Sequence, residues 1–163
     1  MEQVYLGFKL DEKTFGIDAR DVLRVSQIVE ITPVPQAADS ILGIINVMGE
    51  VVPVIDLRKR LGLPARTPSL SDYLIVVKNE RQSVSFVVDA IIGLFPALNE
   101  NNVSLQNIVQ NSTLIEKVIR QENEFILIID SQKLLDAQQS RHIREMVEAH
   151  NGTLYAAIGK ATA

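Results

Sequence analysis

Three apolar runs in this chain end in aspartate, at Asp56, Asp89 and Asp130. Brought together, three carboxylates would offer the hard oxygen ligands that a divalent cation takes. Aspartate has a commoner use where a strand becomes a turn or helix: its carboxylate accepts hydrogen bonds from free backbone N–H groups. Helix starts follow Asp56 and Asp130, so capping is the reading adopted and no metal is expected. His142 and His150 are spaced for neither an HExxH zinc site nor an i,i+4 pair. The sequence has no GxSxG elbow, P-loop or other Gly-rich phosphate cradle. It also has no cysteine, which removes disulfides, thiolate metal sites and thiol nucleophiles. No catalytic residues and no cofactor are expected. A metal-dependent hydrolase built on the aspartates is the competing class.

The one basic cluster is Arg58-Lys59-Arg60, with Arg66 nearby. It lacks neighbouring aromatic residues for stacking, and the 163 residues carry a formal charge of −4. A nucleic-acid partner is therefore not expected, and the cluster reads as a solvated helix face. Met1-Glu2-Gln3-Val4-Tyr5 has neither the basic flank nor the apolar core of a signal peptide. No apolar run reaches the ~20 residues of a membrane-spanning helix. The expectation is a cytoplasmic protein without direct membrane insertion.

Hydrophobic residues make up 47% of the chain, with 18 Ile and 18 Val, so strands are the expected framework. Val4, Leu6, Phe8 and Leu10 alternate with smaller or polar residues at the period of a strand. A turn at Asp11-Glu12-Lys13 leads to a second strand carrying Phe15 and Ile17. Asp18 and Asp21 have the spacing of a weak capping box, with Ile17 and Val22 as a staple, which predicts a short helix from Ala19 to Val25. Strands are predicted over Ile41–Val47 and Val51–Ile55, turning at Met48-Gly49-Glu50, and Asp56 caps a helix that ends at Leu61 before Gly62. Pro53 inside a strand predicts an edge or a bulge. Residues 64–69 read as a linker, Tyr73–Lys78 and Val84–Val88 as a hairpin, and Ala90–Phe95 as a strand. The Asn- and Gln-rich residues 97–113 read as a mobile loop. Strands near Leu114–Arg120 and Phe125–Ile129 precede a helical ending in which Ile143, Met146 and Val147 share one face. The apolar stretch Leu154–Ile158 could extend that helix.

An internal echo links two of these segments. Residues 51–61, VVPVIDLRKRL, match residues 125–135, FILIIDSQKLL, at Ile, Asp, Lys and the final Leu, with an offset of 74. Each copy is an apolar strand, a capping Asp and a short helix. The pattern points to a mainly β protein of two intertwined lobes, each a small twisted barrel of about five strands.

Residues 43–61, GIINVMGEVVPVIDLRKRL, resemble the signature of the CheW family, G-V-x-N-L-R-G-x-x-x-P-V-x-D-L, at Gly43, Asn46, Gly49, Pro53, Val54, Asp56 and Leu57. FKLDEKTFGID, ITPVP, FVVDAI and FILIIDSQKLL also look like family segments, so the resemblance runs from Val4 to about Leu135. It implies two five-stranded SH3-like barrels, and a non-enzymatic adaptor between a methyl-accepting chemoreceptor tip and a CheA-type histidine kinase. The expected domain spans residues 1–136, with lobe one near 15–68 and lobe two made of the N-terminal strand and 69–136. A C-terminal helix and tail, 137–163, would follow. The resemblance puts a receptor helix in a groove between lobes, with Val22, Val25 and Val88 as candidate contacts. It puts the kinase on the first lobe around Arg24, Asn46, Met48 and Glu50. Two of these depart from the family's usual residues, for Met48 replaces an arginine and Arg24 a glutamate. The pair of changes implies a shifted partner specificity, or an array serving pilus or polar-localisation signalling.

If the aspartates are structural, Mg²⁺ and Ca²⁺ should leave the melting temperature unchanged in a thermal-shift titration. A ligand bound only by the folded state would raise it.

Overall fold

The computed structural model describes residues 2–97 apart from 36 and 81, residues 102–103, residues 114–145 apart from 137, and residue 148. The expectations for most of residues 97–113, for Met146 and Val147, for His150 and for the apolar tail lie outside the described residues.

The chain is mainly β, in two sheets. Strands β1 (Gln3–Leu10) and β2 (Lys13–Asp18) form the first hairpin, and a single 3-10 turn (Ala19–Asp21) leads to β3 (Val22–Gln27). Then come β4 (Ile41–Val47), β5 (Glu50–Ile55) and the one-turn helix α1 (Leu57–Arg60). The second half repeats the plan with β6 (Tyr73–Lys78), β7 (Ser83–Val88), β8 (Ala90–Ala97), the two-residue β9 (Asn102–Val103), β10 (Ile115–Gln121) and β11 (Glu124–Ile129). A 3-10 turn (Ser131–Lys133) and the helical residues 138–145 (α2) follow.

One sheet runs β8-β1-β2-β11-β10-β9 and the other β3-β6-β7-β5-β4. The first hairpin thus sits among strands of the second half, and hairpin β6–β7 among strands of the first. Sheet membership does not follow the linker at 64–69: residues 73–88 join β3, β4 and β5, while β2 joins β11. The echo at offset 74 extends over both closing hairpins. Register shifts fall between Ile41 and Gly43 in β4 and between Ile115 and Lys117 in β10. Met48 and Glu122 both have positive φ. Asp56 N donates to Ser40 O and Asp130 N to Leu114 O, at 2.8 and 2.9 Å. Each hairpin's last strand then runs parallel to a strand of the other half, β5 with β7 and β11 with β2.

Burial falls into three clusters, which explains the apolar runs of the central strands. Leu6, Phe8, Leu10, Ile17, Ile75, Val77, Phe86, Val88 and Ile129 belong to a core that both sheets share. Alternate residues on the same strands face elsewhere: Leu74 and Val76 join Ile45, Val52 and Val54, and Tyr5 joins Ile119, Ile126 and Ile128. With both faces covered, a strand has no polar side to show. Ile143 of α2 reaches the shared core. Asp136 and Gln139 cap that helix reciprocally, since Gln139 N donates to Asp136 Oδ1 at 2.6 Å and Asp136 N to Gln139 Oε1 at 3.1 Å.

Two local expectations are corrected. The predicted helix from Ala19 to Val25 is one 3-10 turn and then strand, for Asp18 caps the turn through Arg20 N and Val22 already pairs with Val77. β-branched Val22 and Val25 gain more from sheet pairing than from helix. Pro53 lies on an interior strand and not at a bulge. Its carbonyl accepts from Ser85 Oγ on the β7 side at 2.9 Å, and β5–β7 pairing begins only at Val54, so no ladder bond is lost there.

Gly43 marks a close approach of backbone to backbone. Thr32 and Ile44 exchange two hydrogen bonds of 2.9 Å, tying the segment after β3 to β4, and a Cβ on Gly43 would stand 2.3 Å from Thr32 O. Gly43→Ala should therefore cost about 1–3 kcal/mol, as expected for a substitution that strains packed backbone. Chemical denaturation checks this.

Candidate functional site

Among the described residues, two edge strands each carry a pair of exposed apolar side chains, apart from the isolated Val29, Met48, Leu70 and Phe125. On β3, Leu23 is 55% and Val25 39% exposed; on β8, Ile92 is 51% and Leu94 69% exposed. Val25 pairs with Ile75 and Leu94 with Leu6. Residues directly opposed on antiparallel strands share a face. Ile75 and Leu6 both belong to the shared core, so Val25 and Leu94 project on the inter-lobe side of their own sheets. The two strands are also counterparts in the repeat, at an offset of 69. Leu23 is skipped by the register between Val22 and Arg24, as Ile92 is skipped between Ile91 and Gly93. Val22 and Ile91, which precede these bulges, both pack against the shared core. Val4, partly exposed beside Pro96, extends the β8 edge. Each sheet thus carries an exposed apolar edge, one on β3 and one on β8.

Placing the seven predicted contact residues separates them. Val25 is partly exposed on the β3 edge, and Val22 packs against the shared core. Val88 is corrected: it is fully buried opposite Tyr73, where no partner can reach it. Asn46, Met48 and Glu50 gather at the β4–β5 turn, on exposed ground. Asn46 is occupied within the protein, since its Oδ1 accepts from Gly49 N at 2.8 Å. Met48 and Gly49 have φ of 51° and 88°, as a two-residue hairpin turn of the primed type requires. Met48 holds that left-handed conformation without glycine's freedom and is 91% exposed, an uncovered thioether at the tip. Arg24 does not join this group. It pairs with Val76, and the register runs through Ser85 and Val54 to Gly43, five residues before Met48. Arg24 therefore lies on β3, outside the β4–β5 turn that carries Met48.

The basic cluster proves to be the main polar structure of the molecule. Arg58 is buried and donates through Nη2 to Asp11 Oδ1 at 2.9 Å and to both Asp89 oxygens at 2.9 and 2.7 Å. Its Nη1 reaches Asp11 Oδ2 and Pro64 O, each at 3.2 Å. Arg66 bridges Asp72, at 2.8 Å, to Asp89. Asp11 N donates to Asp89 Oδ2 at 2.7 Å, and Asp89 N to Lys9 O at 2.9 Å. Arg60 points to the 3-10 turn of the second half, donating to the carbonyls of Leu134 and Lys133. The reading of a solvated face holds for Lys59 and fails for its neighbours, because the run lies where α1 meets the other sheet. Burial pushes the Asp89 carboxyl up, but the Asp11 N–H, Arg58 and Arg66 outweigh it, so its pKa ends below the usual 3.8. Burial lowers the Arg58 pKa, and hydrogen bonds to Asp11 and Asp89 overcome it, so the net shift is upward.

The aspartates of the opening question are thus structural: Asp56 accepts from Lys59 N, Asp130 from Gln132 N, and Asp89 anchors Arg58. Among the described residues no group of three or more His, Asp or Glu is arranged to hold a metal ion. Sequence reasoning missed the Arg58 network and the β8 edge. The uncharged run Ala90–Ala97 carried the signal for the second.

Two β lobes with exchanged hairpins, exposed apolar edges and a tip built from backbone define an interaction domain that presents surfaces to partners. A family model described as the CheW-like domain matches residues 4–139. The chain belongs to this family. It is 32% identical to the chemotaxis protein CheW of Bacillus subtilis, over 82% of this chain and 87% of that one. Against the chemotaxis protein CheW of Thermotoga maritima it is 27% identical over 80% and 86% of the two chains. The crystal structure of the scaffolding protein TtCheW from Thermoanaerobacter tengcongensis is similar with a TM-score of 0.77 and 30% identity, covering 85% of this chain and 96% of that one. This is a family of scaffold proteins, not of enzymes.

Because the Asp89 pKa is depressed, its contribution is present above the unfolded value and lost as pH falls through the lower folded value. Asp89→Asn should cost about 1.5–3 kcal/mol at neutral pH, the scale of a lost hydrogen bond to a charged group, because Arg58 loses one carboxylate and keeps Asp11. The variant should also lose less stability than the wild type as pH falls below about 4, measured by urea denaturation across pH.

Proposed function

We propose that this protein is a non-enzymatic cytoplasmic adaptor that couples chemoreceptors to a CheA-type histidine kinase. The observation that carries the reading is the pair of exposed apolar edges, with Val25 on β3 and Val4 and Leu94 on β8 facing the inter-lobe side and forming the walls of a groove. A helix of a receptor tip is the occupant that fits, since an apolar groove takes the apolar stripe of an amphipathic helix. The exposed tip around Met48 and Glu50 meets the kinase, and Arg24 lies on a separate part of the same lobe. The thioether at position 48 favours a softer, more apolar kinase contact than the family's arginine would make. Partner specificity is accordingly shifted at this surface. We take residues 1–136 as the coupling domain and 137–163 as a C-terminal helix and tail.

The test uses a soluble receptor tip fragment and a purified conventional CheA, with binding read by calorimetry. Leu94→Glu should weaken receptor binding by at least ~30-fold, the scale of a central interface anchor. Met48→Arg should strengthen CheA binding while changing stability by less than about 0.5 kcal/mol, as for an exposed position. Unchanged receptor binding by Leu94→Glu would remove the groove from the interface.

A further inference from the structure

We infer that Arg58 is a positioning residue for the groove, holding the β8 wall at the distance a partner helix needs. The inference rests on the groove reading above. The two walls belong to different sheets, so their separation depends on what joins the lobes beneath them. Each wall starts where the chain crosses from one sheet to the other. The β3 wall follows the 3-10 turn Ala19–Asp21, and the β8 wall follows Asp89, with Ala90 its first residue.

The crossover at Asp89 is pinned from several directions. Its carboxylate receives Arg58, Arg66 and the Asp11 N–H, and its own N–H is bonded to Lys9 O. Arg58 is the centre of this arrangement because one planar fork engages three separate parts of the fold. These are the β1–β2 turn through Asp11, the start of β8 through Asp89, and the linker through Pro64 O. A guanidinium has the planar donor geometry for this, whereas an ammonium acts as a point charge.

The repeat supplies an internal comparison. At offset 74 the counterpart of Arg58 is Gln132, and at offset 69 the counterpart of Asp11 is Glu80. These counterparts also touch, but Gln132 Oε1 merely accepts from Glu80 N at 2.8 Å. The crossover on that side is tied by the Ser131 hydroxyl donating to Asp21 at 2.7 Å. The start of β8 is therefore held by a branched clasp centred on Arg58, and the start of β3 by the Ser131–Asp21 bond and the Arg20–Asp18 ion pair, neither of which reaches three parts of the fold through one side chain.

The chain lacks cysteine, so a pair introduced at Val25→Cys and Leu94→Cys takes spin labels at one place on each wall. In this background Arg58→Gln, which copies the neutral end of the repeat, should broaden the inter-wall distance distribution well below the unfolding temperature. Without the labels, Arg58→Gln should weaken the receptor tip fragment about 3- to 30-fold, the range for a residue that acts on a site without touching it. Arg58→Lys, which keeps the charge and loses the fork, should fall between. If Arg58→Gln does not fold, Arg58→Lys carries the same comparison. Wild-type affinity and an unchanged distance distribution in the Arg58 variants, with Leu94→Glu still abolishing binding, would overturn the positioning role and leave the groove in place. Binding that survives Leu94→Glu would overturn the groove reading, and this inference with it.

Discussion

The exchange of hairpins between the two halves is the constraint from which the rest of the structure follows. Because β1–β2 is built into the sheet of the second half and β6–β7 into that of the first, neither half can complete a sheet alone. Each exchanged hairpin supplies central strands, and a central strand between two lobes buries both faces. Leu6 and Phe8 look into the shared core, while Tyr5 and Gly7 look into the interior of their own lobe, where Gly7 leaves space for the Phe95 ring. The abundance of Ile and Val and the scarcity of polar residues in these strands are consequences of that double burial. Stability and the placement of the binding surfaces are therefore one problem. The segments that cross between sheets are also the segments that start the groove walls.

How much of this was legible depends on whether the signal was local. The β4–β5 turn, the Asp56 cap and the Leu61 helix end came directly from the sequence, because Asn46, Gly49 and Asp56 act within a few residues of themselves. The closing hairpins were legible through their offset of 74. The N-terminal strand was expected in lobe two, but the transfer of β2 with it and of β6–β7 to the first half was not legible. β1–β2 and β6–β7 share little sequence, and their equivalence lies in register and bulge position, which emerge only when strands pair. The segment after Asp18 was misread for the same reason: its helix-start chemistry is real and ends after one turn, because tertiary pairing of Val22 with Val77 decides the rest.

The site shows the same division. Surface exposure of Met48 followed from its place in a tight turn, a local property. Burial of Arg58 did not, because three consecutive basic residues look alike in a sequence and α1 turns them to different surroundings. Asp11 and Asp89, its partners, lie 47 and 31 residues away. Charge pattern alone gives a solvated face as the default, and only the position of α1 against the other sheet reverses it. Val88 illustrates the opposite error. An apolar residue near a predicted groove invites assignment to its wall, yet period-2 alternation turns this one inward, opposite Tyr73 in the shared core.

Repeats that begin alike become useful by diverging. The two closing segments still carry the capping Asp, the parallel strand pair and the bulge, which the fold requires at both ends. They differ in what each half asks of the side chain: Leu57 against Ser131, Arg58 against Gln132, Val51 against Phe125. Leu57 is buried in the shared core, whereas Ser131 gives its hydroxyl to Asp21. Arg60 donates to the carbonyl of Leu134, its own counterpart at offset 74, so the short helical elements of the two halves meet at equivalent places. Such a meeting point is a local twofold relation that the side chains no longer obey. A strictly symmetric groove would accept a helix equally well in either direction, because both walls would offer the same contacts. Unequal clasps and unequal walls remove that degeneracy, and an adaptor must remove it to join two different partners in a fixed geometry.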